Sequence, residues 1–201
     1  MKEIRWHGRG GNGAFMAARL LGLAASVYGG RYAQAFPSFG PERRGAPVLG
    51  FTRIDDSIIV DHSQVADCDC VIVLDETLID VVDVLKGLKS DGVLLVNSGK
   101  GEGEFRKLPG FADIKKLIVF DGTALALDIL QSPIVNTIML GATIAATDIV
   151  GLSDAENAIE ELMPKHLAEK NKQVARMAYE RVKYGKEYEK VKYEKVKGEQ
   201  R

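Results

Sequence analysis

The stretch that decides the fold is Lys2-Glu-Ile-Arg-Trp-His-Gly8-Arg-Gly-Gly-Asn-Gly13, which leads into the nearly apolar run of residues 14–28. Residues 2–7 predict a short strand, residues 8–13 a tight glycine-rich turn, and residues 14–28 a helix that is apolar on nearly every side. The turn matches the pattern G-x-G-x-x-G between a strand and a helix, where that pattern is informative. The chain is therefore predicted to begin with a strand, a glycine loop and a buried helix.

Apolar runs of strand length alternate with helical patterns along the rest of the chain. Strands are predicted at residues 32–36, 70–74, 93–96 and 117–120, and helices at residues 76–88, 123–130, 133–147 and from about residue 165. Ser132-Pro133 predicts the start of the third of these helices, and the spacing of Ser153 and Glu156 matches a capping box that begins a further one. Such alternation is typical of a sheet whose strands are mostly parallel.

A β-hairpin is predicted where residues 48–54 and 57–60, both rich in β-forming residues, flank Asp55-Asp56. The patterns together predict an α/β fold, namely a Rossmann-like, mostly parallel, doubly wound sheet with a β-hairpin insertion and C-terminal helices. The 201 residues suit one domain over residues 1–185, followed by a charged Lys/Glu-rich tail at residues 186–201.

The composition excludes several classes of protein. The formal net charge is -1, although residues from Lys165 onward carry twelve Lys or Arg against six Asp or Glu. Glutamates dilute the lysines of the tail, so nucleic-acid binding is not expected. The apolar run of residues 14–28 is interrupted by Arg19 and is too short to span a membrane, and the first residues carry no secretory signal pattern. A cytoplasmic protein without membrane contact is therefore expected.

The glycine loop predicts a site for an anion or for a neighbouring protein chain. Its residues are Gly8, Arg9, Gly10, Gly11, Asn12 and Gly13. Glycines let an anion approach the N-terminus of the next helix, where free amides and the helix dipole favour phosphate. An NAD site would need an acidic residue about 20 positions onward, but the chain has no Asp or Glu between Glu3 and Glu42. An NADP site and a turn that merely packs helix on strand remain alternatives.

No catalytic constellation and no metal site is visible in the rest of the sequence. The three histidines, at positions 7, 62 and 166, share no motif. Cys68 and Cys70 are the only cysteines, whereas a structural zinc or an iron–sulfur cluster usually takes four ligands. They are interpreted as buried thiols of the core. We therefore predict neither a catalytic residue nor a metal ligand in this chain.

Four separated motifs carry a family resemblance that spans about residues 2–185. They are Ile4-Arg-Trp-His-Gly-Arg-Gly-Gly-Asn-Gly13, Tyr32-Ala-Gln-Ala-Phe-Pro37, Gly40-Pro-Glu-Arg-Arg-Gly-Ala-Pro47 and Pro133-Ile-Val-Asn-Thr-Ile-Met-Leu-Gly-Ala142. In order and spacing they resemble the gamma subunit of pyruvate and related 2-oxoacid:ferredoxin (flavodoxin) oxidoreductases. That family typically has Gln where this chain has Asn12, a departure that keeps the amide but shortens the side chain.

The resemblance implies a non-catalytic subunit of a multisubunit enzyme. Such an enzyme decarboxylates a 2-oxoacid on thiamine diphosphate and Mg²⁺, passes electrons through [4Fe-4S] clusters to ferredoxin, and transfers the acyl group to coenzyme A. The alpha, beta and delta subunits would hold the thiamine and the clusters, so this chain alone is expected to bind no cofactor. The family includes pyruvate, branched-chain, 2-oxoglutarate and arylpyruvate enzymes of the same architecture. Pyruvate is taken as the default substrate among them.

The resemblance and the glycine loop together suggest how this chain takes part. We expect Arg9 and the loop amides, joined by Arg43 and Arg44, to hold a phosphate-bearing ligand such as coenzyme A. Asn136 and Thr137, in the first turn of a predicted helix, are expected either to face the same crevice or only to stabilise that turn. Alternatively, Arg43 and Arg44 pair with carboxylates of a neighbouring subunit. Two other functions stay open: a stand-alone NAD(P)-dependent oxidoreductase, and a module that recruits partners through its basic tail.

Overall fold

A computed structural model describes residues 1–38 and 45–185 of the chain. Within them lies a sheet of six strands in the spatial order β2-β3-β1-β4-β5-β6. The strands are β1 (Lys2–Arg9), β2 (Tyr32–Pro37), β3 (Pro47–Asp55), β4 (Cys68–Val73), β5 (Leu88–Asn97) and β6 (Lys116–Phe120). The helices are α1 (Ala14–Leu23), α2 (Glu102–Phe105), α3 (Gly122–Leu125), α4 (Asn136–Thr147), α5 (Leu152–Leu162) and α6 (Lys165–Tyr184). A π-helical turn extends α1 over Ala24–Tyr28, and another extends α3 over Ala126–Leu130.

Four of the six strands are parallel. The sheet has a switch point between β1 and β4, where the chain changes the side of β1 on which it adds strands. Strands β1, β4, β5 and β6 run in parallel, whereas β3 is antiparallel to both β1 and β2. From β1 the chain passes to one side to form β2 and β3, and then crosses to the other side to form β4. Open α/β sheets bind ligands beside the carboxyl ends of strands at such a switch point. The predicted α/β sheet is confirmed.

Long helices cover the first face of the sheet. The side chains of Ile4, Trp6, Ile72 and Leu95 alternate onto this face and pack against α1 and α4, on which α5 and α6 pack in turn. Helix α4 is the centre of this layer, because every residue from 136 to 146 is buried. A methyl group added at Gly141 would overlap the carbonyl oxygen of Ala175 in α6, so the two helices cross in direct backbone contact.

Short and irregular segments cover the second face. Apolar residues of the strands, among them Phe51, Val71 and Leu94, pack there against side chains from the connecting segments. Three arginines bind backbone carbonyls of these segments: Arg5 binds those of residues 84 and 86, Arg53 that of residue 61, and Arg106 those of residues 111, 112 and 114. Guanidinium groups thus satisfy carbonyls that a helix would have paired internally.

Two predicted elements are wrong. The helix expected at residues 76–88 is only a 3₁₀ turn at Glu76–Leu78, followed by irregular chain. The Asp83 carboxylate explains this, because it accepts from the amides of residues 85 and 86 and so starts a separate turn in the middle of the predicted helix. The expected hairpin partner at residues 57–60 is not a strand, since β3 pairs with β1 and β2 instead.

Two helix starts also differ from the prediction, while other elements are confirmed. Helix α4 begins at Asn136, after an irregular segment that contains Ser132-Pro133, and α5 begins at Leu152 with Gly151 as its N-cap. The amide of Gly151 donates to the Asp154 carboxylate at 3.1 Å, so the predicted Ser153–Glu156 box is not the one used. The strands predicted at residues 32–36, 93–96 and 117–120 and the last helix from Lys165 are present. Residues 186–201 lie outside the described ranges, so the domain boundary before them stays a prediction.

Within the described residues, no helix combines the length and the apolar character that a membrane span would need.

Candidate functional site

A crevice of about 770 Å³ opens at the carboxyl ends of the parallel strands. Glycine-loop residues form one wall, the residues after β4, β5 and β6 form the floor, and the segment before α4 forms the other wall. The lining comprises Gly10, Gly11, Asn12, Leu74, Asp75, Glu76, Thr77, Asn97, Ser98, Gly99, Asp121, Thr123, Ser132, Pro133 and Ile134. The sequence-predicted glycine loop therefore belongs to the concave site that the switch-point rule indicates.

The glycine loop is held in a left-handed turn that packs closely against its neighbours. Gly11 and Gly13 have φ of 101° and 77°, a region that residues with a side chain rarely adopt. A Cβ at Gly8 would come within 2.8 Å of the Ala14 Cβ, and one at Gly13 within 2.7 Å of the Asn136 Nδ2 atom. The amides of Gly10 and Asn12 donate to the carbonyls of residues 46 and 9, at 2.9 and 2.8 Å. Those two amides are consequently engaged within the protein.

Arg9 is tied to three groups around the mouth of the crevice. Its Nε donates to the Asp75 carboxylate at 2.9 Å, its Nη2 to the Thr77 hydroxyl at 2.7 Å, and its Nη1 to the Gly45 carbonyl at 3.0 Å. Burial raises the pKa of Asp75, but the hydrogen bonds from Thr77 and Arg9 outweigh it and hold that pKa below its usual range. Since a guanidinium has five N–H donors, these bonds leave two for a ligand or a neighbouring chain.

Asn136 and Thr137 have different surroundings. The side chain of Asn136 is buried against Gly13, so the start of α4 meets the start of α1 beside the glycine loop. The hydroxyl of Thr137 donates to the Asn171 Oδ1 atom of α6 at 2.7 Å, and Thr137 is fully buried. The structure therefore brings Asn136 to the loop, whereas Thr137 joins α4 to α6.

Arg43 and Arg44 lie outside the described residues. The next residue in the chain, Gly45, accepts from Arg9, and its amide donates to the carbonyl of Gly10 at 3.1 Å. The described part of the chain thus resumes in direct contact with the glycine loop.

Asn97 is the crevice residue that sequence reasoning missed. Its Nδ2 donates to the Leu74 carbonyl and to the Thr123 hydroxyl, both at 2.9 Å, and its Oδ1 accepts from the amides of Gly122 and Thr123 at 2.9 and 3.2 Å. It thereby joins the ends of β4, β5 and β6 at the floor. A polar amide directly after the apolar run of residues 93–96 was the available signal.

Carboxylates line the part of the crevice that lies away from the glycine loop. Glu76 accepts from the Ser98 hydroxyl and pairs with Lys100 at 3.2 Å. Asp121 accepts from the Ala124 amide at 2.9 Å. The crevice therefore has one end beside the start of α1 and the Arg9–Asp75 ion pair, and another end rich in oxygen acceptors.

The remaining candidates from the sequence lie away from the crevice. His7 is buried on the second face, where burial first and the charge of Arg5 second lower its pKa to about 3. Both cysteines are buried, and desolvation raises the pKa of Cys68 to about 11 and that of Cys70 further. Thiols of this kind are poor cluster ligands. No group of three or more candidate metal-ligating side chains occurs in the described ranges.

The family model described as pyruvate ferredoxin/flavodoxin oxidoreductase matches residues 3–181. The chain belongs to this family. Pyruvate synthase subunit PorC of Methanothermobacter thermautotrophicus is 50% identical over 182 residues, which cover 90% of this chain and 96% of that relative. The pyruvate/ketoisovalerate oxidoreductases common subunit gamma of Pyrococcus furiosus is 48% identical over 185 residues, covering 90% and 97%.

Solved structures of this oxidoreductase family have the same fold. The crystal structure of pyruvate oxidoreductase subunit PORC from Thermotoga maritima matches with a TM-score of 0.76 and 41% identity, covering 89% of this chain and 95% of that one. A 2-oxoglutarate:ferredoxin oxidoreductase from Magnetococcus marinus matches with a TM-score of 0.62 and 15% identity, covering 94% of this chain and 31% of that one, which shows a shared fold. The predicted resemblance is confirmed, and the stand-alone NAD(P) alternative receives no support.

Proposed function

We propose that this chain is the gamma subunit of a multisubunit pyruvate:ferredoxin oxidoreductase. The enzyme would decarboxylate the 2-oxoacid oxidatively to acyl-coenzyme A and pass the electrons to ferredoxin. The family match over residues 3–181 is the single observation that carries this function. Alpha, beta and delta subunits would supply the thiamine diphosphate, the Mg²⁺ and the [4Fe-4S] clusters, since Cys68 and Cys70 do not suit a cluster.

The choice of 2-oxoacid would belong to the other subunits. The relative from Pyrococcus furiosus is named as common to pyruvate and ketoisovalerate oxidoreductases, so one such chain serves two substrates there. Pyruvate is proposed for this chain because the relative at 50% identity is named a pyruvate synthase subunit.

Within that complex, the crevice would receive a phosphate-bearing ligand, for which coenzyme A is the best candidate. The site residues proposed are those of the glycine loop from Gly8 to Gly13, which include Arg9, together with Arg43, Arg44, Asn136 and Thr137. Phosphate suits the end of the crevice beside the start of α1, where free amides face the ligand and Arg9 retains two N–H donors. The carboxylates of Glu76 and Asp121 suit amide, amine or hydroxyl groups of the same ligand. Thr137 would act indirectly, by fixing the start of α4 through Asn171.

A contact with a neighbouring subunit is the second candidate role for the arginines. Arg9 already binds one carboxylate, that of Asp75, with the geometry that a neighbouring carboxylate would need. Arg43 and Arg44 directly precede Gly45 in the sequence, and the contact with a carboxylate of another subunit is proposed for them together with Arg9.

Turnover of the complete enzyme separates these roles. Arg9→Ala, in the assembled complex, should raise the KM for coenzyme A by roughly ten-fold or more, because one charge-assisted hydrogen bond is lost. Arg19→Ala is the matched control, since Arg19 is an exposed arginine on α1 that lies outside the lining. An Arg9→Ala enzyme with unchanged KM and kcat would refute the ligand role.

A second variant distinguishes ligand binding from maintenance of the loop. Asp75→Asn removes the charge that fixes Arg9 but leaves its guanidinium in place. If Arg9 binds phosphate, Asp75→Asn should keep or lower the KM for coenzyme A. An Asp75→Asn enzyme that is as impaired as Arg9→Ala would assign Arg9 to loop geometry alone. Loss of the chain from the purified Arg9→Ala complex would instead favour the subunit contact.

A further inference from the structure

The second face of the sheet carries large aliphatic side chains that point to solvent. Ile58 is 70% exposed, Val60 81% and Val81 61%. Ile58 and Val60 belong to residues 56–67, which we call the strap, and Val81 belongs to the irregular chain after β4. The two segments touch where Gly87 meets Ala66, and the exposed aliphatic side chains that they carry make this surface a candidate for a protein contact.

The strap is held rigidly against the sheet. Arg53, which is 1% exposed, donates to the carbonyl of Asp61 at 3.0 Å and to the Glu3 carboxylate at 2.9 Å. Gln34 of the edge strand donates to the carbonyl of Ile59 at 3.1 Å. Because the carbonyls on both sides of Val60 are bound to the sheet, its side chain is presented outward on a fixed backbone.

The same part of the chain is strongly acidic. Residues 55–91 contain ten Asp or Glu and two Lys, a formal charge of -8, although six of the ten carboxylates pair with cationic groups. Asp56 and Asp61 of the strap pair with Arg31 and Arg53. Among the described residues, the exposed aspartates of the strap and of the segment after β4 that form no ion pair are Asp67, Asp80 and Asp83. Exposed carboxylates around aliphatic side chains repel phosphates and membranes with anionic lipids, and favour a protein surface with basic groups around an apolar centre.

We propose that this face docks another subunit of the oxidoreductase, one that presents an apolar patch bordered by Lys or Arg side chains. The inference rests on the proposed function, which supplies the partner chains. Docking here would leave the crevice at the carboxyl edge of the sheet open to its ligand. A second copy of the chain fits poorly, because a two-fold contact brings the same aspartates of both copies together.

Two double variants test the face, and a third is their control. Ile58→Ser with Val60→Ser removes the apolar centre, and Asp67→Lys with Asp80→Lys reverses the charge. Leu127→Ser with Leu167→Ser changes two side chains that are 54% and 44% exposed, which lie on the helical side. Each form is co-expressed with the other subunits, one of which carries an affinity tag. Retention is the amount of this chain that co-purifies per tagged subunit, measured at several salt concentrations.

The expected result is at least roughly ten-fold weaker retention for both second-face variants and wild-type retention for the control, with unchanged thermal melting of the isolated chains. Retention of both variants at the wild-type level would overturn the proposal. Failure of the wild-type chain to join the complex would overturn the proposed function as well, which distinguishes the two.

Other occupants give different results, which also overturn the proposal. If the isolated wild-type chain dimerises and the second-face variants do not, the face joins two copies. If deletion of residues 186–201 and the second-face variants lower the melting temperature of the isolated chain alike, the face serves the chain's own C-terminal segment.

Discussion

The two faces of the sheet are covered in different ways, although the same strands supply both. On the first face, helices with small and aliphatic residues pack directly, so that α4 and α6 meet backbone to backbone at Gly141. On the second face, irregular segments are fastened by the guanidinium groups of Arg5, Arg53 and Arg106. Helices satisfy their own backbone groups and can be fastened by apolar contact alone. Irregular chain cannot, and it depends on single polar side chains.

The largest effect is therefore expected where one buried side chain holds a segment of the second face. Arg53→Leu should destabilise the protein by about 3–4 kcal/mol, because Glu3 loses its partner and the carbonyl of Asp61 loses its donor. Equilibrium denaturation with urea measures this, and Arg19→Leu, on the exposed side of α1, should change stability by no more than about 0.5 kcal/mol. Equal effects of both substitutions would contradict the fastening role.

A somewhat smaller effect is expected from steric overlap on the first face. Gly141→Ala should cost about 2–3 kcal/mol, since the added methyl group meets the backbone of Ala175 and the two helices must separate. Gly103→Ala is the matched control because a Cβ there meets nothing within 4 Å. Melting temperatures of both variants provide the comparison, and an unaffected Gly141→Ala protein would show that the helices can move apart without loss.

The smallest effect depends on pH and again belongs to the second face. The pKa of His7 is lowered to about 3 from an unfolded value of 6.5, so its contribution is complete above pH 6.5 and is lost as pH falls. Between pH 8 and pH 5 the wild-type protein should lose about 2 kcal/mol more than a His7→Gln variant. Urea denaturation at both pH values checks this, and parallel stability curves would show that His7 is not kept neutral by burial.

The sequence predicted the elements that depend on neighbouring residues. The opening strand, glycine loop and helix, the buried strands at residues 93–96 and 117–120 and the last helix are present because apolar periodicity and glycine conformation act over a few residues. Ser153 shows the limit of this reasoning. The motif was correct in kind, but the Asp154 carboxylate reaches Gly151 first, and propensity does not rank two adjacent caps.

The candidate site was only half accessible from the sequence. The glycine loop and Asn136 could be found from motifs, and both line or adjoin the crevice. Asn97 was marked only as a polar residue directly after an apolar run, and its role could not be predicted, because it joins the ends of three strands that are distant in the chain. The helix predicted at residues 76–88 was wrong for a similar reason, since Asp83 binds local amides while Arg5 binds the carbonyls of the same segment.

The sequence by itself determined the α/β order of the chain, its glycine loop and its family, because each rests on residues that are close together or on motifs that can be compared directly. Tertiary structure alone decided what the charged groups do. Arg9 was expected to await an anion, but it binds Asp75, which lies 66 positions away. Whether a guanidinium is engaged depends on which carboxylates the fold brings within 3–4 Å, and neither periodicity nor spacing carries that information.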